Sequence, residues 1–266
     1  MLSNFFNFRV KDFQMPIQKF SKDKQAKGNF NYGEILENKP VGFPQDGGEL
    51  KPYSNIFYWA HAWAPDKDST IGLHPHRGFE ICSFVLKGEI EHYDTLLDKW
   101  ITLSEGDVQV IKAGKGISHS EKLKSGSEIF QIWFDPNIQE SLYTNPMYND
   151  FNSKEFQLDS NGGVEKKTIS NEMNQIDLDS DGIQIFQYIF KDGIHDHSIK
   201  DLFYHSIFVL SGNLNISDQV FSKGDFIIID SEKKIQLSAM NNCKIFEIIS
   251  PIKPPYKTYA EVHNVN

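Results

Sequence analysis

Two short pairs of residues carry the chemistry that can be read in this chain: His74 and His76 on either side of Pro75, and His119 and Glu121 on either side of Ser120. Residues two apart share one face of a β-strand, because side chains alternate sides along it. Two such pairs on neighbouring strands can aim three imidazoles and one carboxylate at a single point. Three neutral nitrogens and one anionic oxygen suit a divalent transition metal, with iron, nickel, copper, cobalt, manganese and zinc all compatible.

Strands must position these pairs, and the sequence supplies them. Runs rich in β-branched and aromatic residues occupy 56–63, 79–86, 108–111, 128–134, 183–190, 206–210, 225–229 and 244–249, punctuated by Gly, Pro, Asn and Asp. Such spacing predicts an all-β fold of antiparallel strands in sandwiches or barrels. Asp135-Pro136 closes the first group, and residues 137–163, with Pro146 and Gly162-Gly163, read as a connector with a short helix near 139–143.

An internal repeat flanks that connector. Phe84-Val85-Leu86-Lys87-Gly88 matches Phe208-Val209-Leu210-Ser211-Gly212, and Ser104-Glu105-Gly106-Asp107-Val108 matches Ser222-Lys223-Gly224-Asp225-Phe226. Two copies of a small β-barrel are expected, at 1–136 and 164–266. Superposing Gly88 on Gly212 sets Ser198 and Lys200 where His74 and His76 stand. Superposing Gly106 on Gly224 sets Leu237 and Ala239 where His119 and Glu121 stand. The second barrel is therefore expected to lack metal ligands, and His195 and His197, three residues early, read as loop histidines.

The net charge of −9 disfavours direct nucleic-acid binding, which needs a basic face, and the nearest thing to a basic patch is at 22–27. Hydrophobic residues make up 39% of the 266, with 21 Phe, enough for a substantial core. Cys82 and Cys243 have no zinc-type spacing and read as buried reduced thiols. The start at residues 1–6 lacks the features of a secretory signal, and no run approaches the roughly 20 apolar residues that cross a bilayer. A cytoplasmic protein is expected.

Three blocks carry a family resemblance: His-Pro-His-Arg-Gly-Phe-Glu at 74–80, Leu-Lys-Gly-Glu-Ile-Glu-His-Tyr-Asp at 86–94, and Ala-Gly-Lys-Gly-Ile-Ser-His-Ser-Glu at 113–121. In this order they resemble the signature blocks of the pirin family, bicupin proteins whose bacterial relatives include quercetin 2,3-dioxygenases. Over 164–266 the resemblance rests on the repeat alone. It implies two cupin-type (jelly-roll) β-barrels packed face to face, with one mononuclear metal, usually Fe(II), in the N-terminal barrel. Carried over position by position, the ligands are His74, His76, His119 and Glu121, in agreement with strand alternation. The implied reaction opens a flavonol-like or enediol substrate with O2 and releases carbon monoxide, with Glu121 as general base. The alternative that the resemblance offers is a metal-containing co-regulator whose partner is another protein. A closed pair of barrels is expected to be a monomer without contact to DNA or membrane.

Other residues have more ordinary readings. Glu80 and Cys82 share the parity of His74 and His76, so an uninterrupted strand turns them into the same barrel. There Glu80 either hydrogen-bonds a ligand imidazole or pairs with Arg77, while Cys82 is a small core residue. His92 is expected to make a structural hydrogen bond, and His61, His205 and His263 show no constellation. Phe79, Phe84, Phe130 and Phe134 read as core, some of them lining a pocket over the metal that suits a flat, apolar ligand.

Overall fold

The computed structural model describes residues 17–173, 176–230 and 234–262. The expected strands form, in three antiparallel sheets of nine, seven and four strands. Among the described residues, helix is confined to short pieces such as Ile138–Ser141, where the connector helix was expected, and Tyr259–Val262. No helix among the described residues is long and apolar enough to cross a membrane. The starting residues 1–6 and His263 lie outside the described residues.

Two barrels pack face to face through their large sheets. Glu128–Phe134 shows why: it lies between Ile56–Trp63 and Glu80–Lys87, with Ile132 opposite both Trp59 and Cys82. A strand covered on both faces needs apolar residues of both parities. Phe130, Ile132 and Phe134 join Trp59, Cys82 and Phe84 in one buried cluster with Phe208, Phe226 and Phe246 of the second barrel. Trp59 meets the Phe226 ring at 5.0 Å, and Phe130 meets Phe208 at 4.9 Å, both edge to face. Each such side chain contributes on the order of 1.5–3 kcal/mol by burial, so this shared seam is a main source of cohesion. Cys82 and Cys243 are buried and free.

The repeat fixes the same turn twice. Gly106 and Gly224 adopt φ of 86° and 92°, a region open to glycine. The following aspartates accept a backbone hydrogen bond at 2.9 Å, Asp107 from Ser104 and Asp225 from Ser222.

Three placements differ from the sequence reading. Ile17–Phe20 pairs with Phe226–Ile229, so chain from the N-terminal side completes the sheet of the second barrel. The segment read as a connector holds two strands: Met147–Phe151 pairs with Val108–Lys112, and Gln157–Asn161 pairs with Val164–Ser170. His195 and His197 are not in a loop; they lie on the strand Gly193–Ser198, opposite Leu237 and Ile235. His74 and His76 stand in the same way opposite His119 and Ile117. The superposition on Gly212 misplaced the histidine pair because the second barrel has 15 residues from His197 to Gly212, against 12 from His76 to Gly88. The additional residues fall in the chain that reverses between Gly193–Ser198 and Phe203–Ile216.

Candidate metal centre

Ser69–His76 and Ile117–Leu123 pair antiparallel in the four-stranded sheet, with His74 directly opposite His119. A register shift between His119 and Glu121 re-aims the chain there, and Ser120 secures it by donating to the Ile71 carbonyl at 2.6 Å. His74, His76 and His119 converge, their ring centroids 4.4 to 4.7 Å apart. The Nε2 atoms of His76 and His119 face each other at 2.9 Å. His74 donates its Nδ1–H to the Gly72 carbonyl at 2.8 Å, which leaves Nε2 with a lone pair for a metal.

Burial keeps the His76 and His119 imidazoles neutral, the form that ligates. Burial pushes His76 down to about 3, helped by His119 and His74. His119 falls to about 2 for the same reason, burial first and then the neighbouring His74 and His92.

Glu121 is buried beside them. Its Oε1 accepts from the Ser83 hydroxyl at 3.1 Å and its Oε2 from the Gln131 amide at 2.6 Å, while Trp133 donates its indole N–H to the Gln131 carbonyl at 3.1 Å. Ligand-capable atoms of His74, His76 and His119 lie within 4.8 Å of one another, and those of His92, His119 and Glu121 do so as a second triad. The four residues expected as ligands are thus brought together as two overlapping groups that share His119. His92 makes the expected structural hydrogen bond, 2.8 Å to Asp94, with both side chains buried. Its Nδ1, like that of His119, is buried without a partner. The donor set fits a divalent metal, because two facing Nε2 lone pairs have one proton to share between them, whereas a cation between them satisfies both.

Glu80 corrects the parity argument. The chain turns at Gly78, φ 88°, between Ser69–His76 and Glu80–Lys87, so the strand is interrupted and Glu80 and Cys82 face the second barrel. Glu80 accepts from the Asp179 N–H at 2.7 Å and from the Ser180 N–H and hydroxyl at 3.0 and 2.5 Å; it neither orients a ligand nor pairs with Arg77. Lys112 reinforces the same junction through Asp177 and Asp179, at 3.0 and 2.8 Å. Of the four phenylalanines, Phe79 reaches the centre, 5.5 Å from the His76 ring; the other three fill the seam between barrels.

The second barrel holds a polar cluster that sequence reasoning missed. Glu247 Oε1 lies 2.9 Å from His197 Nε2 and 2.7 Å from His205 Nδ1, with all three residues buried. The only signal was the His195-x-His197 spacing, since His205 and Glu247 are 42 residues apart. The Lys200 backbone N–H donates to His205 Nε2 at 2.7 Å. That bond fixes the tautomer: Nδ1 carries the proton and donates to Glu247, so His205 has no lone pair free for a metal. Burial alone raises the Glu247 carboxyl, but His197 and His205 more than reverse this and hold it well below the usual carboxylate range. His197 is raised, Glu247 outweighing the burial that lowers it. The cluster is a buried ion-pair network in which both imidazoles meet the same carboxylate oxygen, Oε1, and Oε2 is left without a hydrogen-bond partner.

A cavity of about 550 Å³ opens over the first centre, with His74, His76 and Glu121 in its wall beside Trp133, Tyr58 and Phe43. Aliphatic Ile71, Leu123 and Ile129 complete an apolar middle.

Comparison with known proteins agrees with this architecture. The family model described as Pirin matches residues 48–134. The chain is 27% identical over 180 residues to a quercetin 2,3-dioxygenase of Escherichia coli, covering 65% of this chain and 73% of that one. It is 38% identical over 101 residues to Pirin-1 of Arabidopsis thaliana, covering 36% of this chain and only 33% of the plant protein. In fold it is similar to the crystal structure of a bacterial pirin from Escherichia coli in complex with nickel(II). The TM-score is 0.73 at 21% identity, with 88% of this chain and 99% of that chain covered.

Proposed function

Because this chain belongs to the pirin family, we propose that it is a metal-dependent dioxygenase that opens flavonol-type, quercetin-like phenols with O2. One observation carries the reading: the imidazoles of His74, His76 and His119, with Glu121 beside them, converge at the wall of a cavity large enough for a flat aromatic molecule. In this proposal His74, His76, His119 and Glu121 hold the metal, with Fe(II) the first candidate. When bound, that ion supplies a Lewis acid that polarises a substrate hydroxyl and lowers the cost of its ionisation.

The chain's own residues do the rest. Glu121 takes the hydroxyl proton on a carboxylate oxygen. Ser83 and Gln131 hold the two oxygens of that carboxylate and so set its direction. Trp133, stacked on Tyr58 at 4.4 Å and edge to face with His76 at 5.1 Å, lines the cavity and orients an aromatic substrate. Ile71, Leu123 and Ile129 exclude water, which keeps the substrate anion from being reprotonated.

The test is oxygen uptake by purified, metal-loaded protein supplied with quercetin, followed by product analysis. Uptake that His119→Ala and Glu121→Ala abolish supports the reading. Uptake that survives both substitutions removes these residues from the chemistry.

A further inference from the structure

The cavity over His74 and His76 has a second polar end that the metal reading does not use. Lys39 is only 9% exposed, and its ammonium lies 3.2 Å from Glu37 Oε1 and 3.2 Å from Asp46 Oδ1. The Tyr58 hydroxyl donates to Glu37 Oε2 at 3.0 Å, and the Phe43 N–H donates to Asp46 Oδ2 at 2.9 Å. Lys39, Glu37 and Asp46 all line the cavity. The Trp133 and Tyr58 rings form the wall between this cluster and His76.

Two further features bear on its role. Gly28 stands opposite Glu37 in the strand pair Ala26–Phe30 and Ile35–Val41, where any Cβ would collide with the Glu37 carboxylate. The charges do not cancel: two carboxylates face one ammonium, leaving one net negative charge at a buried cavity wall. A carboxylate oxygen accepts more than one hydrogen bond, so Glu37 and Asp46 keep acceptor capacity beyond their present partners. Such an end attracts hydroxyl donors and repels carboxylates or phosphates.

We propose that Glu37, Lys39 and Asp46 form a distal subsite that selects phenolic ligands carrying hydroxyl donors at the end remote from the metal and rejects ligands with an anion there. The proposal rests on the metal-centre reading in that the opposite end of the ligand engages His74, His76 and His119. Each donor reaching a buried carboxylate tightens binding by roughly tenfold.

The experiment uses four flavonols with the same chelating ring. The pendant ring carries two, one or no hydroxyls, or a carboxylate. Binding to the metal-loaded protein is titrated without oxygen, by quenching of tryptophan fluorescence, and oxygen uptake is then measured with each compound. The expected result is a roughly tenfold gain per hydroxyl, with the carboxylate compound weakest. Glu37→Gln, and independently Gly28→Ala, which crowds the same carboxylate, should compress this series. Equal affinity across the four, a carboxylate compound that binds best, or no binding of any would overturn the subsite. Hydroxyl preference without oxygen uptake would uphold the subsite and sink the dioxygenase reading; oxygen uptake without preference would do the reverse.

Discussion

His76 and His119 bring their Nε2 atoms to 2.9 Å although they are not cross-strand partners; His74 is the residue opposite His119. The diagonal contact follows from the strand pair, in which two residues on one strand reach the same neighbour on the next. One proton between two buried nitrogens is an arrangement that a divalent cation relieves.

Metal removal should therefore cost stability as well as activity. A ligand present at 100 times its Kd stabilises the folded state by about 2.7 kcal/mol. Chelation is expected to lower the thermal midpoint of the wild-type chain and to leave His119→Ala nearly unmoved. Elemental analysis should find one metal per wild-type chain and almost none in the variant. An equal metal content in the two proteins would contradict this.

Gln131 tests the support of Glu121. Its amide donates at 2.6 Å to Glu121 Oε2 and its carbonyl is held by Trp133. Gln131→Leu should weaken metal affinity or activity by about 10–100-fold, the usual effect of losing a partner that orients a ligand. A competitive chelator titration measures the first, and oxygen uptake the second.

Glu80 makes the junction between barrels sensitive to pH. Burial pushes its carboxyl up to about 7 from an ordinary 4.5, against the Ser180 and Asp179 hydrogen bonds that lower it. With the folded value above the unfolded one, the folded chain holds the extra proton; this stability is complete below about pH 4.5 and is lost as pH rises through about 7. The shift corresponds to about 3 kcal/mol. Urea midpoints should fall from pH 5 to pH 8 in the wild type and change less in Glu80→Gln.

Glu247 should matter to stability and not to metal. Replacing it by Gln leaves His197 and His205 without their shared carboxylate, and removing one partner of a buried pair costs about 3–5 kcal/mol. Urea unfolding of Glu247→Gln should show this loss, while metal content at neutral pH stays at the wild-type value. A drop in metal content would place a cation in the second barrel.

The amino-acid sequence by itself determined the apolar strands, the repeat and the histidine and glutamate pairs, because each depends on a pattern over a few neighbouring residues, while the polar strands Met147–Phe151, Gln157–Asn161 and Gly193–Ser198 were not legible in it. Glu128–Phe134 was legible to the residue, since five of its seven residues are apolar or aromatic and Asp135-Pro136 ends the run. Tertiary structure decided what depended on register or on distant partners. Gly78 turned Glu80 away from the metal centre and onto Ser180, a hundred residues away. Three additional residues after His197 displaced it from the position that the repeat assigned, so its partner became Glu247. Gln131, His92 and the Glu37–Lys39–Asp46 cluster stand beside the site through pairings between strands far apart in the chain. Local spacing records which way a side chain points along its own strand; which side chains it meets is fixed only when the strands close into barrels.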